Sequence, residues 1–254
     1  MNTAPLALPL VQVENVTRVY HLGGADGAAG ADGAAGTDGA AGTEGTARQE
    51  VSALKGVSLD AARGTFVALK GRSGSGKTTL LNLVGGLDHP TSGKVIFDGQ
   101  PLSSFDEQAL TLLRRHRIGF VFQSFALFPT YSAFENVDLM LRLTGLPRKQ
   151  RVERALHALH LVGLTQWKDH RPEEMSGGQQ QRVAIARAIA HLPDLILADE
   201  PTGELDSETT HQIFALFRYL VDTEKLTILA ATHDPIIDEY ADTILSLKDG
   251  RLSA

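Results

Sequence analysis

The hydrophobic positions of this 254-residue chain change repeatedly between strand-type and helix-type spacing. Short runs rich in β-branched and aromatic residues predict strands at residues 11–20, 51–60, 65–69, 93–99, 118–123, 195–198 and 227–231. Helical spacing predicts helices at residues 79–84, 180–191, 208–221 and 134–164, the last broken at Gly145 and Pro147. The last two predicted strands are uninterrupted apolar runs, which are typical of parallel sheets.

Strands that alternate with helices predict an α/β fold. An all-helical block at about residues 114–172 interrupts the alternation, and the first two strands precede it as a hairpin. We therefore expect a single domain over residues 1–254. It should contain an α/β core, an N-terminal antiparallel β subdomain and an inserted α-helical subdomain.

One low-complexity segment interrupts the predicted hairpin. Residues 24–47 are the hexads GADGAA, GADGAA, GTDGAA and GTEGTA, which contain no large aliphatic residue. Alanine and glycine bury too little area to offset the entropy of ordering, so residues 23–48 are predicted to be a flexible acidic insert. The evenly spaced acids leave a calcium-binding repeat as an alternative, although their period of six differs from the nine-residue calcium repeat.

The composition narrows the possible classes of protein. A net charge of −6 and a pI near 5.8 argue against a general nucleic-acid binder, and the absence of cysteine excludes disulfides and cysteine-ligated metal sites. No apolar stretch approaches the roughly 18–20 residues that span a bilayer, and the short apolar start lacks the cationic residues of a signal peptide. We expect a cytoplasmic protein whose membrane role, if it has one, comes through a partner.

A glycine-rich motif lies between the predicted strand at 65–69 and the predicted helix at 79–84. Its sequence, GRSGSGKT, matches the phosphate-binding pattern G-x-x-x-x-G-K-[ST] in the strand–loop–helix context that this pattern requires. Backbone amides can surround anionic oxygens, Lys77 can neutralise the β and γ phosphates, and the Thr78 hydroxyl can hold Mg²⁺. The motif predicts a P-loop NTPase (RecA-like) core. The residues expected to contact nucleotide are Gly71, Arg72, Ser73, Gly74, Ser75, Gly76, Lys77, Thr78 and Thr79.

Two acids follow the predicted strand at 195–198. In a P-loop enzyme the first acid, here Asp199, organises the Mg²⁺ shell, and the second, here Glu200, orients and activates the attacking water. An acidic pair before a proline is also common in turns. The phosphate loop upstream favours the catalytic interpretation.

The sequence MSGGQ precedes the predicted helix at 180–191. Ser176 has the character of a helix N-cap, which is the simpler interpretation. Gly177 and Gly178 also leave the helix N-terminus open to an incoming phosphate. Because a cap does not require two glycines, we favour phosphate contact.

These motifs, in this order, resemble the nucleotide-binding domain of ABC-type ATPases over nearly the whole chain, from about residue 11 to 252. That family has a phosphate loop, a Q-loop glutamine, a signature, an acidic strand, a D-loop and a switch histidine. The matching residues here are Gly71–Thr78 for the loop, Gln123, MSGGQ, LILADE, Gly203, Glu204, Leu205 and Asp206 for the D-loop, and His233. The sequences GGLDHPTSGKVIFDGQPL and ADEPTGELDS are similar to the subgroup of lipoprotein-releasing and macrolide-exporter-type ATPases. Met175 stands where the family usually has leucine, and Thr78 where serine is commoner.

The resemblance implies a role for each matching residue. Glu200, His233 and Lys77 would be catalytic, with His233 contacting the γ-phosphate. Metal ligands would be Thr78, Gln123 and Asp199. Nucleotide contacts would also come from Ser176, Gly177, Gly178, Gln179 and Asp206, the last as a bridge between subunits. Tyr20 would stack on adenine, although a tyrosine that only packs within the strand is an alternative.

The resemblance also implies partners. Two copies would enclose two ATP molecules, each phosphate loop facing the other copy's signature, in an ATP- and Mg²⁺-dependent homodimer. The helical block would dock on an integral membrane permease and pass nucleotide state to it through Gln123. The chain would therefore be peripheral on the cytoplasmic face of the membrane, and its cargo cannot be read from the sequence.

Two other functions stay open at this level. One is a soluble ABC-type ATPase acting on DNA or ribosomes, although the chain has neither the zinc-binding cysteines and coiled coils nor the second ATPase domain of such relatives. The basic residues 114–117 are interpreted as a solvated helix end, and no nucleic-acid partner is expected. The other is a regulator without turnover, which the presence of Glu200 and His233 disfavours.

Overall fold

A computed structural model describes residues 8–22 and 49–253. The predicted acidic insert at 23–48 lies outside the described residues. Among those described, no helix combines the length and the hydrophobicity needed to cross a membrane.

The described part is a two-sheet α/β structure. Its strands are β1 (Val11–Leu22), β2 (Gln49–Ala61), β3 (Phe66–Lys70), β4 (Ser92–Phe97), β5 (Gln100–Pro101), β6 (Ile118–Phe122), β7 (Leu195–Asp199), β8 (Thr227–Thr232), β9 (Thr243–Lys248) and β10 (Arg251–Ser253). Its α-helices are α1 (Lys77–Val84), α2 (Glu107–Arg117), α3 (Ala133–Arg142), α4 (Arg148–Leu161), α5 (Gly177–Ile189) and α6 (Ser207–Glu224). All the predicted strands and helices are present, whereas α2, β5, β9 and β10 were not predicted.

The smaller sheet is antiparallel and has the order β2-β1-β4-β5. The strand β1 pairs with both β2 and β4, and its pairing with β2 runs from Val11 opposite Ala61 to Leu22 opposite Gln49. This sheet confirms the predicted N-terminal antiparallel subdomain.

The larger sheet has the order β10-β9-β3-β8-β7-β6. The strands β9, β3, β8, β7 and β6 are parallel, and β10 is antiparallel to β9. This sheet, with the phosphate loop after its strand β3, confirms the predicted P-loop core.

The alternating side chains of the larger sheet divide the interior into two hydrophobic clusters. Phe66 and Ala68 of β3 point into one cluster with α5, α6 and the helical block, whereas Val67 and Leu69 point into the other, with α1 and the smaller sheet. This division follows from the two-residue period of a strand. Phe66 packs edge-on against Phe217 of α6, with the ring centroids 5.9 Å apart. The core sheet is therefore covered on both faces.

The helical block begins later than predicted. Residues 118–122 lie within the expected range of 114–172, but they form β6, the strand predicted at 118–123, which pairs in parallel with β7 inside the core sheet. This apolar run is long enough for a core strand, and its residues Ile118 and Val121 are buried in the two hydrophobic clusters. The helices α3 and α4 follow β6, with the break between them near Gly145 and Pro147 as predicted.

The helices α3 and α4 are joined by a buried carboxylate. Asp138 of α3 is only 7% exposed, and its carboxylate accepts hydrogen bonds from Arg142 at 2.8 Å and from Arg151 of α4 at 2.9 Å. Burial alone raises the pKa of Asp138, but the hydrogen bonds from the two arginines outweigh it and hold the pKa below its ordinary value of 3.8. Ionised Asp138 therefore stabilises the packing of the helical block.

We predict that Asp138→Asn lowers the free energy of unfolding by about 2 kcal/mol at neutral pH, because two charge-assisted hydrogen bonds are lost. A lowered pKa in the folded protein stabilises it above the unfolded pKa, and this contribution is lost as the pH falls through the folded pKa. The difference in the free energy of unfolding between wild type and variant should therefore become smaller below about pH 4. Urea denaturation at a series of pH values measures it. Asp169→Asn is the control, because Asp169 is 78% exposed. A difference that stays constant down to pH 3 would contradict the assignment.

Candidate functional site

Four parallel strands bring the predicted site residues to one edge of the core sheet. Gly71, Gln123, Glu200 and His233 each come directly after the end of a strand, namely β3, β6, β7 and β8. The strand ends lie within one residue of each other, since Lys70 lies opposite Thr232, Phe122 opposite Asp199, and Asp199 opposite Ala231. Crevices at the carboxyl ends of parallel strands are where ligands bind in open α/β sheets.

The phosphate loop has the backbone of an anion-binding turn. Gly74 and Gly76 have φ angles of 77° and 105°, which side chains rarely permit, and a Cβ on Gly76 would lie 2.6 Å from the Ala53 carbonyl oxygen. The helix α1 begins at Lys77, and no side chain caps its first amides. A cavity of about 700 Å³ is lined by residues 70–75 and by His233. The loop therefore presents free amides and a helix N-terminus beside a cavity.

The ammonium of Lys77 connects the loop to the acidic strand. It is 6% exposed, donates to the Gly71 and Arg72 carbonyl oxygens at 2.7 and 3.3 Å, and lies 3.0 Å from Oε1 of Glu200. Three oxygens thus share its three protons. The positive charge is held directly beside the predicted catalytic carboxylate.

Thr78 and Asp199 form the candidate metal pair. The Thr78 hydroxyl donates to Oδ2 of Asp199 at 2.7 Å, whereas Oδ1 of Asp199 is buried and has no hydrogen-bond partner. Burial, and then the nearby charge of Glu200, raise the pKa of Asp199 against the opposing effects of Thr78 and Lys77. A carboxylate with a buried free oxygen beside a hydroxyl fits a Mg²⁺ shell.

Thr78 and Asp199 alone would give a metal ion only a few protein ligands. No group of three His, Cys, Asp or Glu side chains suitable for a metal occurs within residues 8–22 and 49–253. Mg²⁺ is commonly bound by one or two protein oxygens together with phosphates and waters, so the donor set suits it in the presence of a nucleotide.

Glu200 and His233 are in direct contact. Oε2 of Glu200 accepts hydrogen bonds from Nδ1 of His233 at 2.9 Å and from its backbone amide at 3.3 Å. Glu200 has a φ of 46°, unusual for a residue other than glycine, and its amide donates to the Ala231 carbonyl oxygen at 2.8 Å. Strained backbone of this kind is concentrated at functional sites, where the surrounding structure holds it in place.

Gln123 lies against the D-loop. A Cβ placed on Gly203 would be 3.1 Å from Nε2 of Gln123, so the amide lies directly over this glycine. Asp206, at the end of the D-loop, caps α6 by accepting from the Thr209 amide at 2.9 Å and its hydroxyl at 2.8 Å. The Thr209 hydrogen bonds lower the pKa of Asp206. The bridging role of Asp206 between subunits stays a prediction.

The signature residues form the helix cap that the sequence offered as the simpler interpretation, and phosphate contact by them stays a prediction. Ser176 and Gln179 form a capping box, in which the Ser176 hydroxyl oxygen accepts from the Gln179 amide at 3.3 Å and the Gln179 side chain accepts from the Ser176 amide at 2.9 Å. Gly178 has a packing reason as well, since a Cβ there would lie 2.5 Å from Cγ2 of Thr209. Gly177 approaches Phe125 and Leu205 more loosely.

The signature and the phosphate loop face different cavities of the same chain. Ser176, Gly178 and Gln179 line a cavity of about 260 Å³ together with residues of α5 and α6, and none of the phosphate-loop residues lines it. The larger cavity at the phosphate loop contains none of the signature residues. One chain therefore does not bring its two candidate phosphate-binding elements to one ligand.

Tyr20 is tied to its neighbours in the smaller sheet. Its hydroxyl donates to Asp88 at 2.9 Å, and the Arg18 guanidinium lies 4.5 Å from the ring centroid while also pairing with Asp88. One face of the ring is thus covered by a cation. These contacts account for Tyr20 as a packing residue, and adenine stacking on its other face stays a prediction.

Sequence reasoning missed two polar residues of α5. Gln181 is fully buried and donates to the Pro201 carbonyl oxygen, directly behind Glu200. Arg187 donates to the carbonyl oxygens of Phe125 and Ala126, just after Gln123. Both are polar residues in a helix whose core-facing side is otherwise apolar. This pattern in the sequence could have marked them as buried polar residues. Their partners, being distant in sequence, could not be predicted.

The comparisons with known proteins agree with this geometry. The family model described as ABC transporter matches residues 54–203, which contain the phosphate loop, Gln123, the signature and the acidic strand. A lipoprotein-releasing system ATP-binding protein, LolD 1 of Rhodopseudomonas palustris, is 45% identical over 201 residues, covering 79% of this chain and 89% of that protein.

Of two further relatives, one is much longer than this chain and the other has a similar length. The macrolide export ATP-binding/permease protein MacB of Syntrophobacter fumaroxidans is 41% identical over 96% of this chain, which spans only 31% of that longer protein. A solved structure described as a dimeric ABC transporter cassette, MJ0796, matches with a TM-score of 0.78 and 39% identity, covering 96% of this chain and 97% of that one. The same cassette from Methanocaldococcus jannaschii has been solved as a dimer in a post-hydrolysis state with ADP and Pi, and it matches with a TM-score of 0.77.

The motif order, the strand-edge geometry and the relatives all point to one assignment. This chain belongs to the ABC transporter family, as an ATP-hydrolysing ATP-binding domain similar to those of the lipoprotein-releasing and macrolide-export subgroup.

Proposed function

We propose that this chain hydrolyses ATP with Mg²⁺ in a dimer of two copies and thereby drives a separate transmembrane permease. The observation that carries the proposal is that its two candidate phosphate-binding elements, the phosphate loop and the signature, face separate cavities of one chain. A second copy can supply the missing half of each site.

The phosphate loop and Lys77 bind the triphosphate. The free amides of α1 and the glycine turns offer donors to the phosphate oxygens, and the Lys77 ammonium offers a mobile positive charge. A phosphate oxygen that binds Lys77 replaces Glu200 as its partner, because the other two protons are directed to the carbonyl oxygens of Gly71 and Arg72. Binding of the nucleotide thus frees one oxygen of Glu200.

Glu200 then orients the attacking water. Its freed Oε1 accepts a hydrogen bond from water, while its Oε2 stays fixed by His233 and the strained backbone fixes the direction of the side chain. The water oxygen bonds to the γ-phosphorus, the bond to the β–γ bridging oxygen breaks, and Glu200 accepts the proton that the water loses. His233, which is exposed at the edge of the same cavity, contacts the γ-phosphate.

Thr78 and Asp199, with Gln123 at the edge of the shell, are the residues that would hold Mg²⁺. The metal would neutralise part of the charge on the β and γ phosphates. Asp199 contributes the unpartnered buried Oδ1 described above, and Gln123 contributes an amide that also touches the D-loop.

The second copy contributes its signature. The N-terminus of α5 carries the partial positive charge of a helix and is preceded by two glycines, so it can approach a phosphate held by another chain. The related cassette MJ0796, which is dimeric in two solved structures, supports this assembly. A homodimer closed by ATP places two nucleotides between two chains.

The permease contact is assigned to an apolar groove beside Gln123. The groove has a volume of about 450 Å³ and lies between the core and α3. Its lining residues include several exposed apolar side chains, namely Leu87, Phe122, Phe128 and Leu143. Exposed apolar patches of this kind mark interaction sites. MacB is named as one protein with ATP-binding and permease functions, which supports a permease as the occupant for a chain that matches its ATP-binding part. Contact there would place the chain on the cytoplasmic face of the membrane.

We predict that Lys77→Met weakens ATP binding by at least about tenfold, because it removes a charge-assisted contact to the phosphates. Isothermal titration calorimetry with ATP and Mg²⁺ measures this. Lys94→Met is the control, since Lys94 lies in the smaller sheet, pairs with Glu14 and does not line the cavity at the phosphate loop. Equal affinities of the Lys77 and Lys94 variants would count against nucleotide binding at the loop.

We predict that Glu200→Gln lowers the hydrolysis rate by about 100-fold or more, because the proton acceptor is lost. Since bound ATP then persists, the variant should become a dimer in the presence of ATP and Mg²⁺, as measured by light scattering after size exclusion. The double variant with Lys77→Met should stay monomeric. A single variant that remains monomeric at saturating ATP would contradict the ATP-closed dimer.

We predict that Leu143→Asp abolishes recovery of a permease while leaving basal hydrolysis unchanged. The tagged chain is used to capture proteins from detergent-solubilised membranes, and an integral membrane protein with a permease-type sequence is identified by mass spectrometry. Leu156→Asp is the control, because Leu156 is a similarly exposed apolar residue of the helical block outside the groove, at 38% against 53% for Leu143. Recovery by the Leu143 variant, or recovery of ribosomal proteins by the wild type, would count against this assignment.

A further inference from the structure

The segment that follows Gln123 has an unusual backbone. Phe125 and Ala126 have φ angles of 52° and 49°, so two consecutive residues with side chains adopt the left-handed conformation. This conformation is disfavoured for residues other than glycine, and residues in it persist where the surroundings hold them. The Ala126 amide also donates to the Ser124 carbonyl oxygen, which makes the turn tight. Something in the fold must hold residues 124–126 in place.

Arg187 provides that contact. Its two terminal nitrogens donate to the Phe125 carbonyl oxygen, at 2.9 Å, and to the Ala126 carbonyl oxygen. The rigid fork of a guanidinium can span two consecutive carbonyl groups, which a lysine ammonium cannot do with the same geometry. Both left-handed residues are thus held by one side chain from the last turn of α5.

Within residues 8–22 and 49–253, no ion pair joins the Arg187 guanidinium to a carboxylate, and burial lowers the pKa of the guanidinium. A half-buried cation held by backbone carbonyl groups is an expensive arrangement for stability alone. The arrangement fits a residue retained for the geometry that it imposes.

The held segment lies beside the D-loop and the signature. Gln123 precedes it and lies over Gly203 of the D-loop, and the Phe125 ring lies close to Gly177 of the signature. Ala126 and Arg187 also line the groove assigned to the permease. A change in this segment would therefore move Gln123, and a molecule seated in the groove would contact the same clamp.

We propose that Arg187 is a positioning residue for hydrolysis, which holds residues 124–126 in the left-handed turn and so fixes Gln123 at the nucleotide. The inference rests on the proposed role of Gln123 at the metal and water. Arg187 itself does not line the cavity at the phosphate loop.

The test is a double-mutant cycle between Arg187 and Gln123. Arg187→Met keeps the length and apolar packing of the side chain and removes its donors. It should lower kcat on the order of tenfold, since small displacements of a reacting group are costly, and leave the Kd for ATP within about twofold. Gln123→Ala should also lower kcat. If Arg187 acts through Gln123, the double variant should be no slower than Gln123→Ala alone.

Two further measurements separate positioning from stability. The Mg²⁺ concentration for half-maximal hydrolysis should rise in Arg187→Met, and Arg187→Lys should recover part of kcat because it keeps one contact and the charge. Arg218→Met is the control, because Arg218 is a half-buried arginine with structural partners on α6 and beyond, namely Tyr240, Asp242 and Asp222. It should lower the melting temperature without changing the Mg²⁺ requirement.

The outcomes are distinct. A tenfold loss of kcat from Arg187→Met in the Gln123→Ala background, or an unchanged kcat and Mg²⁺ requirement in the folded single variant, would overturn the inference. If Arg187→Met does not fold, the same cycle with Arg187→Lys decides, and an equal loss with and without Gln123 again overturns it. If the wild type does not hydrolyse ATP, or if Gln123→Ala is as active as the wild type, the proposed function itself is refuted.

Discussion

The parallel register of β3, β8, β7 and β6 is the constraint on which the rest of the structure depends. Because these strands run in the same direction and end within one residue of each other, the first residue after each of them lies at the same edge of the sheet. A shift of one residue in any pair would reverse which side chains face the two hydrophobic clusters, so the buried apolar residues fix the register. The hydrophobic interior thus sets the distances among Lys77, Glu200 and His233 although none of them belongs to it.

At this edge of the sheet, the two neighbouring acids differ in how they are paired. Lys77 lies between two loop carbonyl groups and Glu200, while Asp199 faces away toward Thr78 with one oxygen unpaired. The two neighbouring acids therefore have different surroundings, and burial raises the pKa of Asp199. This difference permits one acid to serve a metal and the other to serve water.

The sequence located the phosphate loop and the acidic pair because these residues lie at short distances from recognisable strands, β3 and β7. His233 follows β8, but the family resemblance was needed to choose it. The strand β9 was missed because most of its side chains are exposed and it lacks the apolar run of a central strand. Contacts such as Arg187 with Phe125, Gln181 with Pro201, and Tyr20 with Asp88 join distant segments, and only the folded chain defines them.

The capping box at Ser176 has a consequence for how the signature can work. A hydroxyl group has lone pairs that accept and one proton that it can donate, and the cap uses only a lone pair. The proton is free to be offered to an anion without uncapping the helix. The lone pair and the proton of one hydroxyl group would thus serve the rigidity of α5 and the proposed contact with a neighbour's nucleotide. An aspartate in its place would cap the helix equally well but would repel the phosphate, so helix integrity and assembly are separable properties of a single position.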